Sequence, residues 1–516
     1  MALKKKGEQS SEDSKKRKRV GFAKIDAGIE ANECIKVFLV SKKDPLRFES
    51  VAIEQIFGIV GCVSESDKQS GTMMCFMQDK FVSSAEEVVA ENSLCVNPVD
   101  LNQFFEEEGK IYGFKDLKIK IWLSSISFLA YADITFESTS DGGKGITDLK
   151  SKLQNIFGES LLDNREEFLQ SFTTERDYVG SVVSSGEVIC SETLNTHNDK
   201  PNTSDSGSYT IEVIRMELRS MPIALLYSRL MPLAFLFIDG SSPIDISDPR
   251  WEIYLVIKKM IDYSGESNFC ALGFATVYRF YRYPESWRLR ISQILVLPPY
   301  QGQGHGRRLL ESINTVSVSK NIYDVTAEEP SDYLKHVRDC VDTMRLLSFE
   351  PTTPALEPIV SQLKQTNLSK RISKFPLNPP SALIESARDK LKINKKQFLR
   401  CWDALIYLSL GQGDYKSMEN YRNCVSDRMR ADVLGKDVVG TAGKCLIEVP
   451  NNYDHEFTFV VFRSRAFEGS DGLEKVANGE DQASQEEQFI RLVDERLKEI
   501  AGVANKVSMH RRSCAA

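Results

Sequence analysis

The chain has 516 residues, too many for a single compact core, so two or three domains are expected. It has 41% apolar and 27% charged residues, the composition of an ordinary soluble protein; a net charge of -7 and a pI near 5.6 argue against a general nucleic-acid binder and suit a basic partner better. Eleven cysteines without a CxxC pair or a signal-like segment point to reduced thiols in cytosol or nucleus, and five dispersed histidines lack metal-ligand spacing, so no metal is expected.

Residues 1–22 are polar and basic, with the run Lys15-Lys-Arg-Lys-Arg19, and read as a disordered tail carrying a nuclear import signal. An N-terminal domain is expected over 23–208. In it Leu117–Leu123 and Phe128–Phe136 alternate with period two, as paired strands with one wet face do. Ser138–Gly145 reads as a loop, and the polar, aperiodic stretch Ser191–Ser208 as a surface insertion. Met221–Ile238 is strongly apolar, but Arg229 at its middle and Pro222 and Pro232 within it argue against a membrane span. A buried helix leading into a core strand is expected instead.

From 209 to 370 the strands grow more apolar, through Trp251–Ile257, Cys270–Val277 and the strand at Ile291, which marks the candidate catalytic domain. Prolines at 351, 354 and 358, then 376, 379 and 380, separate it from a helical region over 371–450. There Leu391, Phe398, Trp402, Leu405 and Leu408 approximate a helical stripe. In the last segment, 451–516, residues 468–487 read as an acidic linker. Phe489, Val493, Leu497 and Ile500 then form an amphipathic helix that docks on the protein's own core.

The stretch from Ile291 to Leu310 says most about chemistry. Ile294–Leu297 is a continuous apolar run, which suits a strand covered on both faces. Gly302, Gly304 and Gly306 follow, then the start of a helix at Arg307-Arg308-Leu309-Leu310. Glycines let the main chain approach a ligand, and the N–H groups of a helix N-terminus attract an anion. A P-loop would need Lys-Ser or Lys-Thr after the glycines, and a Rossmann loop would need Gly-x-Gly-x-x-Gly. The spacing Gln301-Gly-Gln-Gly304-His-Gly306 instead resembles the acetyl-CoA loop of the GNAT N-acetyltransferases.

Acetyl transfer to an amine needs a held thioester, a base and a donor for the developing oxyanion. A lysine ammonium has a pKa near ~10.4, so a base is required at neutral pH. Glu328 and Glu329 close the stretch Ile322-Tyr-Asp-Val-Thr-Ala-Glu-Glu-Pro330. Its apolar start suggests a strand, with the two acids where parallel strands splay around a cofactor. The same residues suit an acidic helix N-terminus equally well, and spacing leaves both readings open.

Taken together, Ser292–Gly306 and Thr326-Ala-Glu-Glu-Pro330 resemble the catalytic subunits of type B histone acetyltransferases. Supporting stretches are Phe237–Trp251, Tyr278-Arg-Phe-Tyr-Arg-Tyr-Pro284, Tyr112–Lys118 and Lys392–Gln397, so the resemblance spans roughly residues 30 to 410. It implies an α+β, mixed α/β protein: a GNAT fold with an N-terminal α/β domain and a helical C-terminal region. It further implies acetyl transfer from acetyl-CoA to lysines in the N-terminal tail of newly made histone H4, by direct attack, in nucleus and cytoplasm. A WD-repeat histone-binding chaperone is the implied partner, with no metal, no direct nucleic-acid binding and no membrane. By position, Glu328 falls on the family's general base, Asp239 on an assisting carboxylate that is Glu in the family, and Glu329 on a neighbouring acid. Ile294, Leu295 and Val296 would hold the pantetheine arm, and Gln301, Gly302, Gln303, Gly304, His305 and Gly306 the pyrophosphate. Trp251, Tyr278, Arg279 and Phe280 would line the peptide groove, and Glu107 and Glu108 would contact basic residues of the tail. Two other readings fit the same residues: a GNAT enzyme with a different protein or small-amine substrate, and a non-catalytic histone-binding protein.

Overall fold

The computed structural model describes residues 28–40, 93–99, 101–105, 109–141, 143–195, 208–261, 267–365, 377–411, 414–434 and 479–515. The basic tail, Glu107, Glu108 and the stretch 435–478 lie outside the described residues. The chain forms two compact units that meet in sequence at Pro330 and Ser331.

The first unit opens with β1 (Ile29–Glu30), α1 (Ala31–Cys34), β2 (Ile35–Val40), β3 (Ser93–Val96), β4 (Lys110–Ile111), β5 (Phe114–Lys115), β6 (Lys118–Ser124), β7 (Ala130–Thr135) and β8 (Ser138–Thr139). Then come α2 (Leu149–Phe157), β9 (Leu161–Leu162) and α3 (Arg165–Ser184). Five strands form a sheet in the order β3-β2-β6-β7-β9, while β1 pairs with β4 and β5 with β8. On β6, Ile119, Ile121 and Leu123 are fully buried and Lys118 and Lys120 exposed, the period-two pattern expected of a strand with one wet face. The predicted loop at Ser138–Gly145 begins with the short strand β8.

The second sheet of this unit has six strands in sequence order: β10 (Glu187–Asn195), β11 (Ser208–Glu217), β12 (Trp251–Ile261), β13 (Ser267–Arg282), β14 (Ser286–Val296) and β15 (Val325–Ala327). All neighbours are antiparallel except β14 and β15. Residues 191–195, expected in a surface insertion, belong to β10, where Glu192 pairs with Ile211. β10 is an edge strand, and such a strand tolerates the polar composition that hid it. Between β11 and β12 runs α4 (Met221–Phe237), with Pro222 in its first turn and most of its apolar residues buried. Its charge is accounted for: Arg229 pairs with Glu175 of α3 at 2.7 Å and stacks over Tyr178. A loop from Ile238 to Arg250 separates α4 from β12, so the helix does not lead straight into a strand. Among the described residues no helix is long and apolar enough to cross a membrane. One hydrophobic core runs from Ala31 to Leu297 and joins both sheets across residue 208, where a domain boundary was expected.

The second unit is helical: α6 (Asp332–Leu347), α7 (Thr352–Leu363), α8 (Ser381–Leu391), α9 (Lys395–Leu410), α10 (Tyr415–Leu434) and α11 (Gly479–Ala515). The stripe read as one helix is divided, with Leu391 ending α8 and Phe398, Trp402 and Leu405 buried in α9. Lys392, in the left-handed region at φ 60°, makes the break. Residues 479–487, expected in a linker, are the first turns of α11. Phe489, Val493 and Ile500 of α11 are buried, and Leu497 packs on the core of this unit, so the predicted stripe docks internally. Arg428 and Arg496 both donate to the buried Asp403, tying α10 and α11 to α9.

Candidate active site

The site grows from β14. Its pairing with β13 shifts register so that Gln293 faces Thr276 but Ile291 faces Val277, leaving Ser292 as the extra residue of a bulge. A bulge reverses which residues turn their main chain to which neighbour. Before it, Ile291 O accepts from Glu328 N–H at 2.9 Å, on the β15 side; after it, Leu297 N–H donates to Leu272 O of β13. Alternation then turns the main-chain groups of Ile294 and Val296 away from β13. On that side β15 pairs only with Leu289, Arg290 and Ile291, so beyond Ile291 the two parallel strands part and leave an open edge. Ile294 and Val296 are half-buried whereas Leu295 is buried, so the strand is not covered on both faces as its apolar run suggested. The half-open face lines the gap, which explains apolar residues without full burial.

The glycine loop closes one end of this gap. Gly302 and Gly304 lie at φ 77° and 83°, a region open to glycine and strained for other residues. Gly304 caps α5 (His305–Ser319), which begins as predicted at the end of the motif. No atom lies within 4 Å of where a Gly302 Cβ would stand. Gln301 Nε2 donates to Val296 O at 2.9 Å and Gln303 Nε2 to Pro299 O at 3.3 Å, bracing the loop against its own strand. The His305 side chain is buried, and burial, then the charges of Arg308 and Lys258, holds its pKa down at about 4. The imidazole is therefore neutral and turned inward, and what His305 offers an anion is its main-chain N–H.

Glu328 stands where β15 ends, and α6 begins only at Asp332 with Ser331 as its cap, so the strand-end geometry holds rather than the helix start. Ser292, the bulged residue, donates from Oγ to Glu328 Oε2 at 2.8 Å. The residue is exposed, and this bond orients its carboxylate from one side. Glu329 is exposed beside it at φ 32°. Asp239 is exposed, in the loop after α4. A buried network reaches its neighbourhood: Gln293 donates to Ser241 Oγ at 3.3 Å and Ser242 O at 2.8 Å, and accepts from Tyr227 at 2.9 Å. Burial pushes the Tyr227 hydroxyl up to about 12, so it stays protonated as the donor of that bond. Ser292 and Gln293 lie in the motif, but the sequence assigns them no role, because their contacts depend on the bulge and on a parallel pairing that sequence does not display.

On β12 and β13, Trp251 faces Tyr278 in register, with ring centroids 4.7 Å apart, and Tyr278 lies 4.6 Å from Phe280. Arg250 stacks over Tyr278 and Arg290 over Phe280, giving a row of edge-to-face rings clasped by guanidiniums. Tyr278 donates to Asp248 at 2.8 Å, and hydrogen bonds from Arg250 hold that carboxyl well below the usual carboxylate range. Arg279 is not part of the row. Alternation puts it on the opposite face, 3.7 Å from the buried Glu252, which also pairs with Arg215 and Lys320. Burial would raise the pKa of Glu252, but Arg215, then Lys320 and Arg279, outweigh it and keep the group ionised.

This geometry can be set beside known proteins. The family described as "Histone acetyl transferase HAT1 N-terminus" matches residues 76–239, and "Acetyltransferase (GNAT) family" matches residues 237–331. The histone acetyltransferase type B catalytic subunit of Zea mays is 46% identical over 98% of this chain and 97% of its own length. That of Arabidopsis thaliana is 44% identical over 96% of each. The human subunit is 25% identical over 64% of this chain and 73% of its own. A strand that splays beside a glycine loop, read with these similarities over nearly the full length, leads to one conclusion: the chain belongs to the type B histone acetyltransferase catalytic subunits, enzymes with the GNAT fold.

Proposed function

We propose that this enzyme acetylates lysines in the N-terminal tail of free, newly made histone H4, with Glu328 as the general base. The observation that carries the reading is the Glu328 carboxylate, held by Ser292 at the mouth of the gap between β14 and β15. GNAT acetyltransferases use acetyl-CoA. Its pantetheine arm would lie along Ile294–Val296 as an added strand, and its pyrophosphate against Gln301–Gly306 and the N-terminus of α5. A main-chain N–H of the Ile294–Leu297 stretch would polarise the thioester carbonyl. Glu328 takes a proton from the lysine ammonium, directly or through one water, and the freed amine attacks the carbonyl carbon. The C–S bond breaks, the electron pair leaves on sulfur, and CoA departs as the thiol once protonated. Asp239 and Glu329 add negative field at the base.

The aromatic row of Trp251, Tyr278 and Phe280 offers a surface for the aliphatic stem of a peptide lysine and its neighbours. Glu107 and Glu108 would meet basic residues of the tail, in keeping with the acidic balance of the chain. A WD-repeat histone-binding chaperone would present the histone, and the enzyme would work in both nucleus and cytoplasm. One test decides the substrate. Purified protein is incubated with labelled acetyl-CoA and, separately, free histones, nucleosomes and small polyamines, and the labelled residues are mapped. Label on lysines of the free H4 tail is expected. Label on polyamines or on other histones, with H4 unlabelled, would overturn the substrate assignment.

A further inference from the structure

The main chain of the glycine loop is pinned from the far edge of its sheet. Arg308, in the first turn of α5 and 9% exposed, donates from Nη1 to the Gln303 carbonyl oxygen at 3.1 Å. From Nε and Nη2 it donates to Glu192 Oε2 at 2.9 and 2.7 Å. Glu192 comes 116 residues earlier in the chain, on the edge strand β10. The guanidinium lies directly against the loop, since a Cβ on Gly304 would stand 3.4 Å from Nη1.

A trans peptide unit is planar, and its C=O and N–H point in opposite directions. Holding Gln303 O on Arg308 therefore turns the Gly304 N–H away from the guanidinium, toward the outside of the loop. Glycine has no Cβ to forbid the flipped peptide, in which a carbonyl dipole would face an incoming anion. The loop's own glutamine side chains brace Val296 O and Pro299 O, and neither holds this peptide. The orientation depends on where the Arg308 fork sits, and the two charge-assisted bonds that it donates to Glu192 set that.

We propose that Glu192, acting through Arg308, is a positioning residue for the diphosphate of acetyl-CoA, holding the Gln303–Gly304 peptide with its N–H toward the phosphate. This rests on the reading that the glycine loop takes the diphosphate. The test compares acetyl-CoA with S-acetylpantetheine, which lacks the diphosphate, as donors to free histones. Wild type, Glu192→Gln and Glu192→Asp are assayed, and since the Glu192 side chain is 45% exposed both variants keep the strand. In Glu192→Gln the preference for acetyl-CoA, as a ratio of kcat/KM values, is expected to fall about three- to tenfold through a higher KM for acetyl-CoA. Glu192→Asp, which keeps the charge, recovers part of it. An unchanged preference, or an equal loss with both donors, would overturn the proposal by making Glu192 idle or merely structural. A wild type with no preference for acetyl-CoA would instead overturn the diphosphate reading, and the proposal with it.

Discussion

Ser292 is one hydroxyl, but it is the side chain that orients the Glu328 carboxylate, and it faces Glu328 because a bulge inserts it between Ile291 and Gln293. Removing the hydroxyl leaves the carboxylate exposed and chemically intact, so the proposed base keeps its carboxyl and loses a defined position. Ser292→Ala is therefore expected to lower kcat about three- to tenfold, as loss of one hydrogen bond to a charged group at an exposed site does, with KM for acetyl-CoA little changed. Steady-state kinetics on histone substrate decides this. A kcat equal to wild type would show that Ser292 does not position the base. Gln293, its neighbour, points the other way and serves the fold, satisfying Tyr227 and the Ser241–Ser242 turn at once. Adjacent residues of one strand thus divide between chemistry and packing.

At the scale of elements, the strand, loop and helix from Ile291 onward form the proposed cofactor site, and Gly304 is its most constrained joint. An alanine there must adopt φ 83° with its Cβ against Arg308, which costs roughly 1–2 kcal/mol. The strain is relieved most easily by turning the loop N–H groups. Gly304→Ala is expected to raise the KM for acetyl-CoA about tenfold while the helical circular dichroism stays that of wild type, and an unchanged KM would contradict the role given to the loop. This element was legible in sequence because each part has a local signature: an apolar run, a fixed glycine spacing, a helix start. The stripe of α11 was legible for the same reason, through Phe489, Val493 and Ile500. What stayed hidden depends on partners distant in sequence. Residues 191–195 of β10 read as a loop because an edge strand needs few apolar residues, and nothing local to Glu192 announces its bond to Arg308. Arg279 was grouped with Tyr278 and Phe280, although strand alternation already set it on the other face.

For the whole molecule, stability responds to pH through buried and paired groups. The folded His305 takes up a proton only near pH 4, while the unfolded imidazole does so near ~6.5. Between those values the unfolded state binds more protons, so stability rises with pH and is lost as pH falls from about 6.5 toward 4. Asp248 and Glu252, both held below their ordinary values, contribute stability that is lost as pH falls from the ordinary carboxylate range through their depressed folded values. His305→Gln is expected to flatten the dependence of the urea midpoint on pH between about 4 and 6.5, read by the fluorescence of Trp122, Trp251 and Trp287 in the first unit. A slope unchanged by the substitution would show that His305 is not the group responsible. Under the proposed mechanism activity depends instead on the Glu328 carboxylate, which accepts from Ser292 beside the open edge of β14. The most direct test is single-turnover acetyl transfer to free histone H4 by Glu328→Gln, with acetyl-CoA binding measured in parallel. The account predicts a rate lower by about a hundred- to ten-thousandfold with acetyl-CoA still bound. A rate within a few-fold of wild type would contradict it.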